Sequence, residues 1–271
     1  MRGEDACKFI CWSCAVALDA GHPKFMANLP PDLSVVIPCY RDAPHLRANV
    51  ESVIRVLQGT RHSFEIILVN DASPDRDREI ILALMTDFSD FLRFVDHPVN
   101  TGRGRAVTDG ILEARGKYTG FLDIDLEVAA HYIAPLVAQL EDGADVACAH
   151  RIYRTTFSLV HRAVLSMGYS RLVRAMLRED LADTEAGFKF FRRERILPVL
   201  SECKDPGWFW DTEIMVRAKL AGLRIAFLPV LFVRNPDKSS TVRIWHDSVT
   251  YWKRLMPFRR EVEGLRRATR L

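Results

Sequence analysis

Short apolar runs alternate with amphipathic stretches from Asp32 onward. The runs at 33–37 and 64–69 predict buried strands, because each is short, rich in β-branched residues and followed by proline or polar turn residues. Between them, leucine, valine and isoleucine recur every three or four positions, which predicts a helix over 45–57 with one buried face. The folded part of the chain is therefore expected to begin with a strand, a helix and a second strand.

The same alternation continues to the middle of the chain. Further strands are predicted at 91–95, 118–122 and 145–149, and further helices at 75–87, with Asp75 as N-cap, at 104–114 and at 131–140. This order predicts an α/β fold with a mostly parallel central sheet flanked by helices. The later chain predicts a helical region at 151–178, a helix at 210–221 and a strand at 224–227.

One domain with two terminal additions is the expected organisation. Residues 1–31 precede the first predicted strand and are expected to be a poorly ordered extension, and 32–250 are expected to form the folded domain. Residues 251–271 carry seven basic and two acidic side chains and are expected to be a basic C-terminal tail. A short amphipathic helix around Trp252 leads into it, either as core packing or as an interfacial anchor.

Composition and charge narrow the class of protein. The 271 residues are 48% hydrophobic and 27% charged, which is ordinary globular usage and excludes a disordered chain. The longest largely apolar runs are about ten residues, well short of the roughly 20 that a membrane-spanning helix needs. The net charge is only +3, but 151–178 contain six arginines and no acid. A basic, apolar segment of this kind favours contact with anionic lipid headgroups or phosphates, and an ordinary solvated helix face is the alternative.

Polar side chains follow the predicted strands. Asp71 comes after the second strand, and Asp123 and Asp125 come after the strand at 118–122. Ligands of a doubly wound sheet bind beyond the carboxyl ends of its strands. Two carboxylates spaced two residues apart at such an edge can share Mg²⁺ or Mn²⁺, with diphosphate oxygens filling the other positions. Glu127 extends the pattern, so the sequence predicts a metal site at Asp123, Asp125 and Glu127.

A glycine-rich loop follows the third predicted strand, with the sequence Asn100-Thr-Gly-Arg-Gly-Arg. Gly102 allows the backbone to approach a ligand closely, and Arg103 supplies a cation suited to phosphate. The loop lacks the third glycine of a dinucleotide-binding fingerprint and follows the wrong strand for one. It therefore predicts a phosphate-contacting loop, with a plain loop leading into a helix as the alternative.

Four motifs in this order resemble family 2 glycosyltransferases, which have the GT-A fold. They are VVIPCYRDAPHL, VNDASPD, NTGRGRAV and FLDIDLE. The resemblance implies that Asp71 contacts the nucleobase of a nucleotide-sugar donor and that Asp123 and Asp125 hold the metal and the donor diphosphate. The donor-binding residues implied by these motifs are Pro38, Tyr40, Asp71, Asn100, Gly102, Arg103 and Asp123.

The segment DTEAGFKFF, 183–191, is similar to the D-T-Q-C-G-F-K-x-F signature of dolichyl-phosphate glucosyltransferases and their bacterial polyprenyl-phosphate relatives. This resemblance implies an inverting transfer of a hexose, from UDP-glucose or GDP-mannose, to a polyprenyl or dolichyl phosphate. The implied acceptor-phosphate residues are Arg151, Arg162, Ser166, Asp183 and Thr184. The candidate catalytic residues are Asp125, Arg162 and, for a hydroxyl acceptor, Asp211. Glu185 and Ala186 depart from the usual Gln and Cys, and the membrane-spanning helices of many relatives are missing.

The acceptor decides what chemistry the site needs. A phosphate monoester is already anionic near neutral pH, so it needs positioning by arginine rather than a base. A hydroxyl acceptor, on a saccharide or small molecule, would need a base, and Asp211 is the candidate, with helix N-capping as its alternative role. We expect peripheral contact at the cytoplasmic face of a membrane.

The sequence also leaves two functions other than glycosyl transfer to consider. A nucleic-acid-binding module is disfavoured, because Asp71, Asp123 and Asp125 would repel phosphate, so no nucleic-acid partner is expected. A nonenzymatic nucleotide-sugar sensor would show no turnover.

Overall fold

The computed structural model describes residues 29–153, 181–234 and 244–269. Its strands are β1 Leu33–Cys39, β2 Phe64–Asn70, β3 Leu92–Asp96, β4 Tyr118–Leu122, β5 Val146–Tyr153, β6 Phe188–Arg192 and β7 Ile225–Phe232. Its α-helices are α1 Leu46–Gln58, α2 Asp77–Asp87, α3 Arg103–Glu113, α4 Ile133–Glu141, α5 Arg193–Leu200, α6 Trp210–Leu220 and α7 Ile244–Thr269. A short 3-10 turn, Ala130–Tyr132, precedes α4.

The strands form one sheet in the order β3-β2-β1-β4-β6-β5-β7. Strand β1 pairs in parallel with β2 and β4, and β2 pairs in parallel with β3. Among the described strands, only β6 runs antiparallel to its neighbours, β4 and β5, and β7 pairs in parallel with β5. The predicted mostly parallel α/β architecture is confirmed, and the carboxyl ends of β1 to β4 meet at one edge of the sheet.

The core follows the predicted apolar spacing. Helix α1 buries Leu46, Val50, Val53, Ile54 and Leu57, which are the positions that recur every three or four residues. Helix α6 differs, since it also buries the polar side chains of Asp211, Thr212, Glu213 and Arg217. Buried polar groups need partners, so α6 is a helix whose polar face belongs to the protein interior.

Two elements, β6 and α5, were not predicted as a strand and a helix. Pro198 lies inside α5 and weakens the helical pattern of its sequence.

Helix α7 crosses the predicted boundary between 250 and 251, and its Leu255, Phe258 and Val262 are buried. The C-terminal segment is thus part of the domain rather than a separate tail; the charged residues and Pro257 around these three positions hid their helical spacing.

Other predictions fall outside the described residues. Most of the predicted extension 1–31 lies there, since only 29–31 are described. Most of the basic region 151–178 lies there too, since only 151–153 are described and these belong to β5. The N-cap of helix α2 is Arg76 rather than the predicted Asp75, although the Asp75 carboxylate accepts a hydrogen bond from the Asp77 amide at 3.1 Å.

None of the described helices is both long and apolar enough to cross a membrane.

A buried carboxylate stabilises the sheet edge opposite the site. Glu65 Oε1 accepts hydrogen bonds from Ser34 Oγ at 2.6 Å and the Arg115 amide at 2.8 Å, and Arg115 Nε and Nη2 donate to Oε2 at 3.0 and 2.8 Å. Burial would raise the pKa of Glu65, but these donors outweigh it and lower the pKa below its ordinary value. Charge on Glu65 therefore stabilises the fold.

We expect Glu65→Gln to lower the free energy of unfolding by about 2 kcal/mol at about pH 7, because charged hydrogen bonds to Arg115 are lost. The deficit should shrink as pH falls below about 4.5, because the carboxyl group protonates there in the unfolded wild-type protein, and it should disappear below the lowered pKa of the folded protein. Urea unfolding at both pH values measures this. Glu113→Gln is the control, since Glu113 is 55% exposed and should change stability by less than about 0.5 kcal/mol. An equal loss in the two variants would contradict the expectation.

Candidate active site

Strained backbone marks the edge where β1 to β4 end. Within the described residues, three non-glycine residues have positive φ: Arg41 at 61°, Ala72 at 51° and Leu126 at 52°. They lie just beyond β1, β2 and β4, and Gly102, with φ of 101°, follows β3. Such conformations cost free energy and concentrate at functional sites. All four parallel strands thus end in backbone held in an unusual conformation at one edge.

Asp71 organises the loop that follows β3. Its carboxylate accepts hydrogen bonds from the amides of Thr101 and Gly102, both at 2.8 Å, and from the Thr101 hydroxyl at 2.8 Å. Nδ1 of His97 lies 2.8 Å from the same carboxylate, and Asn100 Nδ2 donates to the Asp71 carbonyl at 3.0 Å. Burial would raise the pKa of Asp71, but these hydrogen bonds lower it. The structure thus brings together three predicted donor-site residues and adds His97, which no sequence motif marked.

The β1 end lies beside this loop. Pro38 pairs in register with Val69 on β2, and Tyr40, which is 36% exposed, follows the strand directly. The Tyr40 amide donates to Asp42 Oδ2 at 3.0 Å. Both predicted residues therefore belong to the edge that carries Asp71.

Carboxylates crowd the loops after β1 and β2. Both oxygens of the buried Asp77 carboxylate accept a hydrogen bond from the Asp42 amide at 3.1 Å, and the Asp75 carboxylate lies nearby. Burial, with repulsion from Asp75 and Asp42 added, raises the pKa of Asp77 to about 6. Asp75 is different, because hydrogen bonds from Ser73 and from the backbone outweigh its burial and lower its pKa.

We expect Asp77→Asn to raise the free energy of unfolding by about 1–2 kcal/mol at about pH 8, since the ionised wild-type side chain is disfavoured in the fold. When folding raises the pKa of a carboxyl group, the free energy of unfolding falls as pH rises from the unfolded pKa, about 4, to the folded pKa. The gain should therefore vanish near about pH 4. Thermal unfolding across this range measures it. Asp75→Asn should act in the opposite direction at about pH 8, and stabilisation by both variants would contradict the assignment.

A chain of alternating charges crosses the centre of the site. Lys189 Nζ, on β6, is fully buried and donates to Asp211 Oδ1 at 2.6 Å and to the Ala186 carbonyl. Asp211 Oδ2 accepts from Arg103 Nη1 at 2.5 Å, and Arg103 Nε donates to Asp123 Oδ1 at 2.7 Å. The sequence marked Arg103, Asp123 and Asp211 separately. Lys189 was missed, because a lysine inside a short strand ordinarily indicates an exposed face.

Asp123 lies at the carboxyl end of β4, as predicted. Burial raises its pKa to about 6; Arg103 opposes this rise, and repulsion from Asp125 and Asp211 adds to it. Hard oxygen donors whose charges repel one another suit Mg²⁺ or Mn²⁺. Within the described residues, no three acidic, histidine or cysteine side chains are clustered as metal ligands, so the site does not present Asp123, Asp125 and Glu127 as a preformed set. A ligand such as a diphosphate would complete the coordination.

The candidate acceptor end is built around Arg151. Its Nε and Nη2 donate to the two oxygens of Asp183 at 2.8 and 2.9 Å, so the two predicted residues form a fork-shaped pair. The Glu185 carboxylate lies 3.8 Å from the same guanidinium. Burial raises the pKa of Glu185 to about 7; attraction to Arg151 opposes this rise, and repulsion from Asp183 and Asp211 adds to it. Thr184 is buried against Thr212 at 3.0 Å.

Two of the predicted acceptor residues, Arg162 and Ser166, lie outside the described residues. Helix α6 begins at Trp210, which places Asp211 in its first turn rather than at the N-cap. The capping alternative for Asp211 is therefore wrong, and its two oxygens are engaged by Lys189 and Arg103 instead.

The chain matches a known protein family over most of its length. The profile of "Glycosyl transferase family 2" matches residues 34–197, which is more than half of the chain. Glycosyltransferase AglD of Haloferax volcanii is 34% identical over 204 residues, covering 73% of this chain and 32% of AglD. Dolichyl-phosphate beta-glucosyltransferase of Saccharomyces cerevisiae is 28% identical over 222 residues, covering 73% of this chain and 66% of the yeast protein. The chain thus spans a third to just under two thirds of the length of these relatives.

Solved structures share the fold. Glucosyl-3-phosphoglycerate synthase of Mycobacterium tuberculosis, crystallised with Mn²⁺, uridine diphosphate and glucosyl-3-phosphoglycerate, superposes with a TM-score of 0.62 at 18% identity, covering 83% of this chain and 77% of that one. Mannosyltransferase PcManGT of Pyrobaculum calidifontis, in complex with GDP-Man and Mn²⁺, gives 0.56 at 19% identity, covering 82% and 60%. The predicted GT-A fold is confirmed, and with the profile match this chain belongs to glycosyltransferase family 2.

Proposed function

We propose that this protein is a metal-dependent, inverting hexosyltransferase that uses a nucleotide sugar, UDP-glucose or GDP-mannose, as donor. We further propose that its acceptor is a polyprenyl or dolichyl phosphate. The relatives named dolichyl-phosphate beta-glucosyltransferase support the acceptor, and the solved structures that hold a nucleotide or nucleotide sugar with Mn²⁺ support the donor chemistry.

The observation that carries the acceptor proposal is the position of Asp211. Its carboxylate is 3% exposed, and each oxygen is held by a cation, Lys189 at 2.6 Å and Arg103 at 2.5 Å. A general base must reach the proton that it removes. A carboxylate buried between two cations is poorly placed to take a proton from an acceptor hydroxyl. An acceptor that is already anionic avoids this step, so the geometry favours a phosphate over the alternative hydroxyl acceptor.

The roles of the remaining residues follow from where they lie. Asp71 and the loop at 100–102 would receive the nucleobase end of the donor, with Pro38 and Tyr40 beside it. Asp123 and Asp125, with Glu127 nearby, would hold Mg²⁺ or Mn²⁺, which supplies stabilisation of the charge developing on the leaving nucleoside diphosphate. Arg103 adds positive charge at the same point.

At the acceptor end, Asp183 orients Arg151. Thr184 follows Asp183 in the chain, and Arg162 and Ser166 remain proposed phosphate ligands. An acceptor phosphate oxygen would form the new bond to the anomeric carbon as the bond to the diphosphate oxygen breaks on the opposite face. The anomeric configuration is thereby inverted, and both products remain anions without a proton transfer to the protein.

Nucleoside diphosphate release tests the proposal. Purified protein is incubated with Mn²⁺ or Mg²⁺ and a panel of nucleotide sugars, with a short-chain polyprenyl phosphate, with the matching polyprenol, or with no acceptor. We expect release that requires the metal and the phosphate and that is absent with the alcohol. Release with the alcohol, or release indifferent to either lipid, would overturn the phosphate acceptor. Loss of activity in an Asp211→Asn variant would not identify a base, because that change also removes the anchor of Arg103.

Glu185 gives the proposal a pH signature. Because its pKa is raised to about 7, the side chain ionises as pH rises through neutrality and adds negative charge beside Arg151. We expect the KM for polyprenyl phosphate to rise about three- to tenfold between about pH 6 and about pH 8, and Glu185→Gln to remove most of this rise. The variant retains the titration of the acceptor phosphate itself, so the difference between the two profiles isolates Glu185. Parallel profiles would contradict the expectation.

We also propose peripheral contact with the cytoplasmic face of a membrane, where a lipid phosphate would be presented. The exposed Trp252 and the basic helix α7 support this contact. Co-sedimentation with anionic vesicles, compared with neutral vesicles and with Trp252→Ala, tests it, and binding that depends on neither charge nor Trp252 would overturn it.

A further inference from the structure

One guanidinium links the end of β4 to the start of α6. Arg103 Nε donates to Asp123 Oδ1 at 2.7 Å, and Nη1 donates to Asp211 Oδ2 at 2.5 Å. The guanidinium carbon also lies 5.3 Å from the ring centre of Phe121 and 5.1 Å from that of Trp208, at cation–π distances. The Arg103 side chain is only 11% exposed. Its position is therefore fixed by two carboxylates and two aromatic rings.

The oxygen that Arg103 holds is one that a metal ion would need. Both Nε and Nη2 lie 2.7 Å from Asp123 Oδ1, and Oδ2 faces the backbone of Gly187. A divalent cation bound to Asp123 through Oδ1 would compete directly with the guanidinium. Repulsion between the two cations would add to this competition, because charges a few ångströms apart interact strongly in a partly buried site.

The other end of the guanidinium is anchored independently of the metal. Asp211 is held by the fully buried Lys189, so it can remain in place when the contact with Asp123 is broken. A donor diphosphate carries several negative charges and would offer Arg103 a new partner at the point where Asp123 is given up. The metal alone would leave the displaced part of the Arg103 guanidinium without its partner on Asp123. When the donor binds together with the metal, the diphosphate replaces that partner.

We propose that Arg103 is a positioning residue that occupies the metal-facing oxygen of Asp123 and passes to the donor diphosphate when metal and nucleotide bind together. The inference rests on the proposed function for the metal site. Its consequence is thermodynamic: the cation alone binds weakly, and the cation and a nucleoside diphosphate bind cooperatively.

Binding of Mn²⁺, measured by electron paramagnetic resonance of the free ion, tests the proposal with and without uridine diphosphate, after correction for Mn²⁺ bound by the nucleotide in solution. We expect Arg103→Met to tighten binding of Mn²⁺ alone about tenfold and to reduce its coupling to uridine diphosphate by a similar factor. Arg105→Met is the matched control for charge. Arg105 lies two residues along α3, is 56% exposed and pairs with Asp109, so its loss should change the affinity by no more than about twofold.

A second variant distinguishes the effect of the planar guanidinium contacts of Arg103 from the effect of its positive charge. Arg103→Lys keeps the charge but loses the planar group that bridges two carboxylates and stacks between two rings. We expect it to tighten binding of Mn²⁺ alone at least about threefold, and circular dichroism melts would confirm that each variant is folded. If Arg103→Met does not fold, Arg103→Lys decides alone.

Three results would overturn the inference. Equal affinities in the Arg103→Met and Arg105→Met variants would remove any special role of Arg103. If Arg103→Lys binds Mn²⁺ alone with wild-type affinity, the tighter binding of Arg103→Met would come from net charge alone. An absence of Mn²⁺ binding in every folded protein, even with uridine diphosphate, would instead overturn the metal site and the proposed function with it.

Discussion

Replacing Gly187 with alanine is expected to reduce kcat/KM by at least about a hundredfold, because displacement of a site group by about an ångström is enough for such a loss. A Cβ atom at this position would lie 1.9 Å from Asp123 Oδ2 and 2.7 Å from Arg103 Nη2. Gly187 cannot easily retreat, since its carbonyl accepts the Asp123 amide hydrogen bond at 3.0 Å. The Asp123 carboxylate must therefore move, and Mn²⁺ affinity should fall with the activity.

The matched control is Gly264→Ala, in the exposed part of α7. Nothing lies within 4 Å of a Cβ atom there, and alanine favours a helix, so activity should be unchanged and stability slightly raised. Gly187 does not have a positive φ, which means that alanine is excluded by space and not by backbone conformation. Near-normal activity in Gly187→Ala would show that Asp123 does not act from the position seen here.

The architecture and the place of the site could be predicted because both follow from local patterns. Apolar spacing located β1 to β4, and polar residues such as Asp71 and Asp123 marked the edge where these strands end. The strand β6 was hidden because Lys189 interrupts its apolar run. A lysine inside a strand argues for an exposed face unless its partner is known, and the partner, Asp211, lies 22 residues away on α6.

The contacts within the site depended on distant pairing and were beyond sequence patterns. Nothing near Arg103 in the sequence shows that its guanidinium would bridge Asp123 and Asp211, since the latter is 108 residues away. The same holds for Gly187, whose importance comes from the antiparallel pairing of β4 and β6. Sequence could therefore name the charged groups of the site but not which of them neutralise one another.

Replacing Lys189 with methionine is expected to lower the free energy of unfolding by about 3–5 kcal/mol, because removal of one partner leaves a buried charge without full compensation. Lys189 is fully buried, and its ammonium lies 2.6 Å from Asp211 Oδ1 and 5.4 Å from the ring centre of Phe121. Methionine fills a similar volume, so packing changes little and the loss reports on charge. Urea unfolding measures it, and Lys219→Met, at an exposed position of α6, should change stability by less than about 0.5 kcal/mol.

A double variant shows whether the loss comes from the Asp211 carboxylate. With Lys189→Met already present, Asp211→Asn removes the charge that was left uncompensated, so we expect it to restore about 1–2 kcal/mol of stability. Activity should not recover, since Arg103 would have lost the anionic anchor that holds it beside Asp123. If Asp211→Asn destabilises the Lys189→Met protein further, Arg103 alone suffices to compensate Asp211 in the fold. Lys189 would then contribute through packing, and the charge chain would end at Asp211 rather than extend to β6.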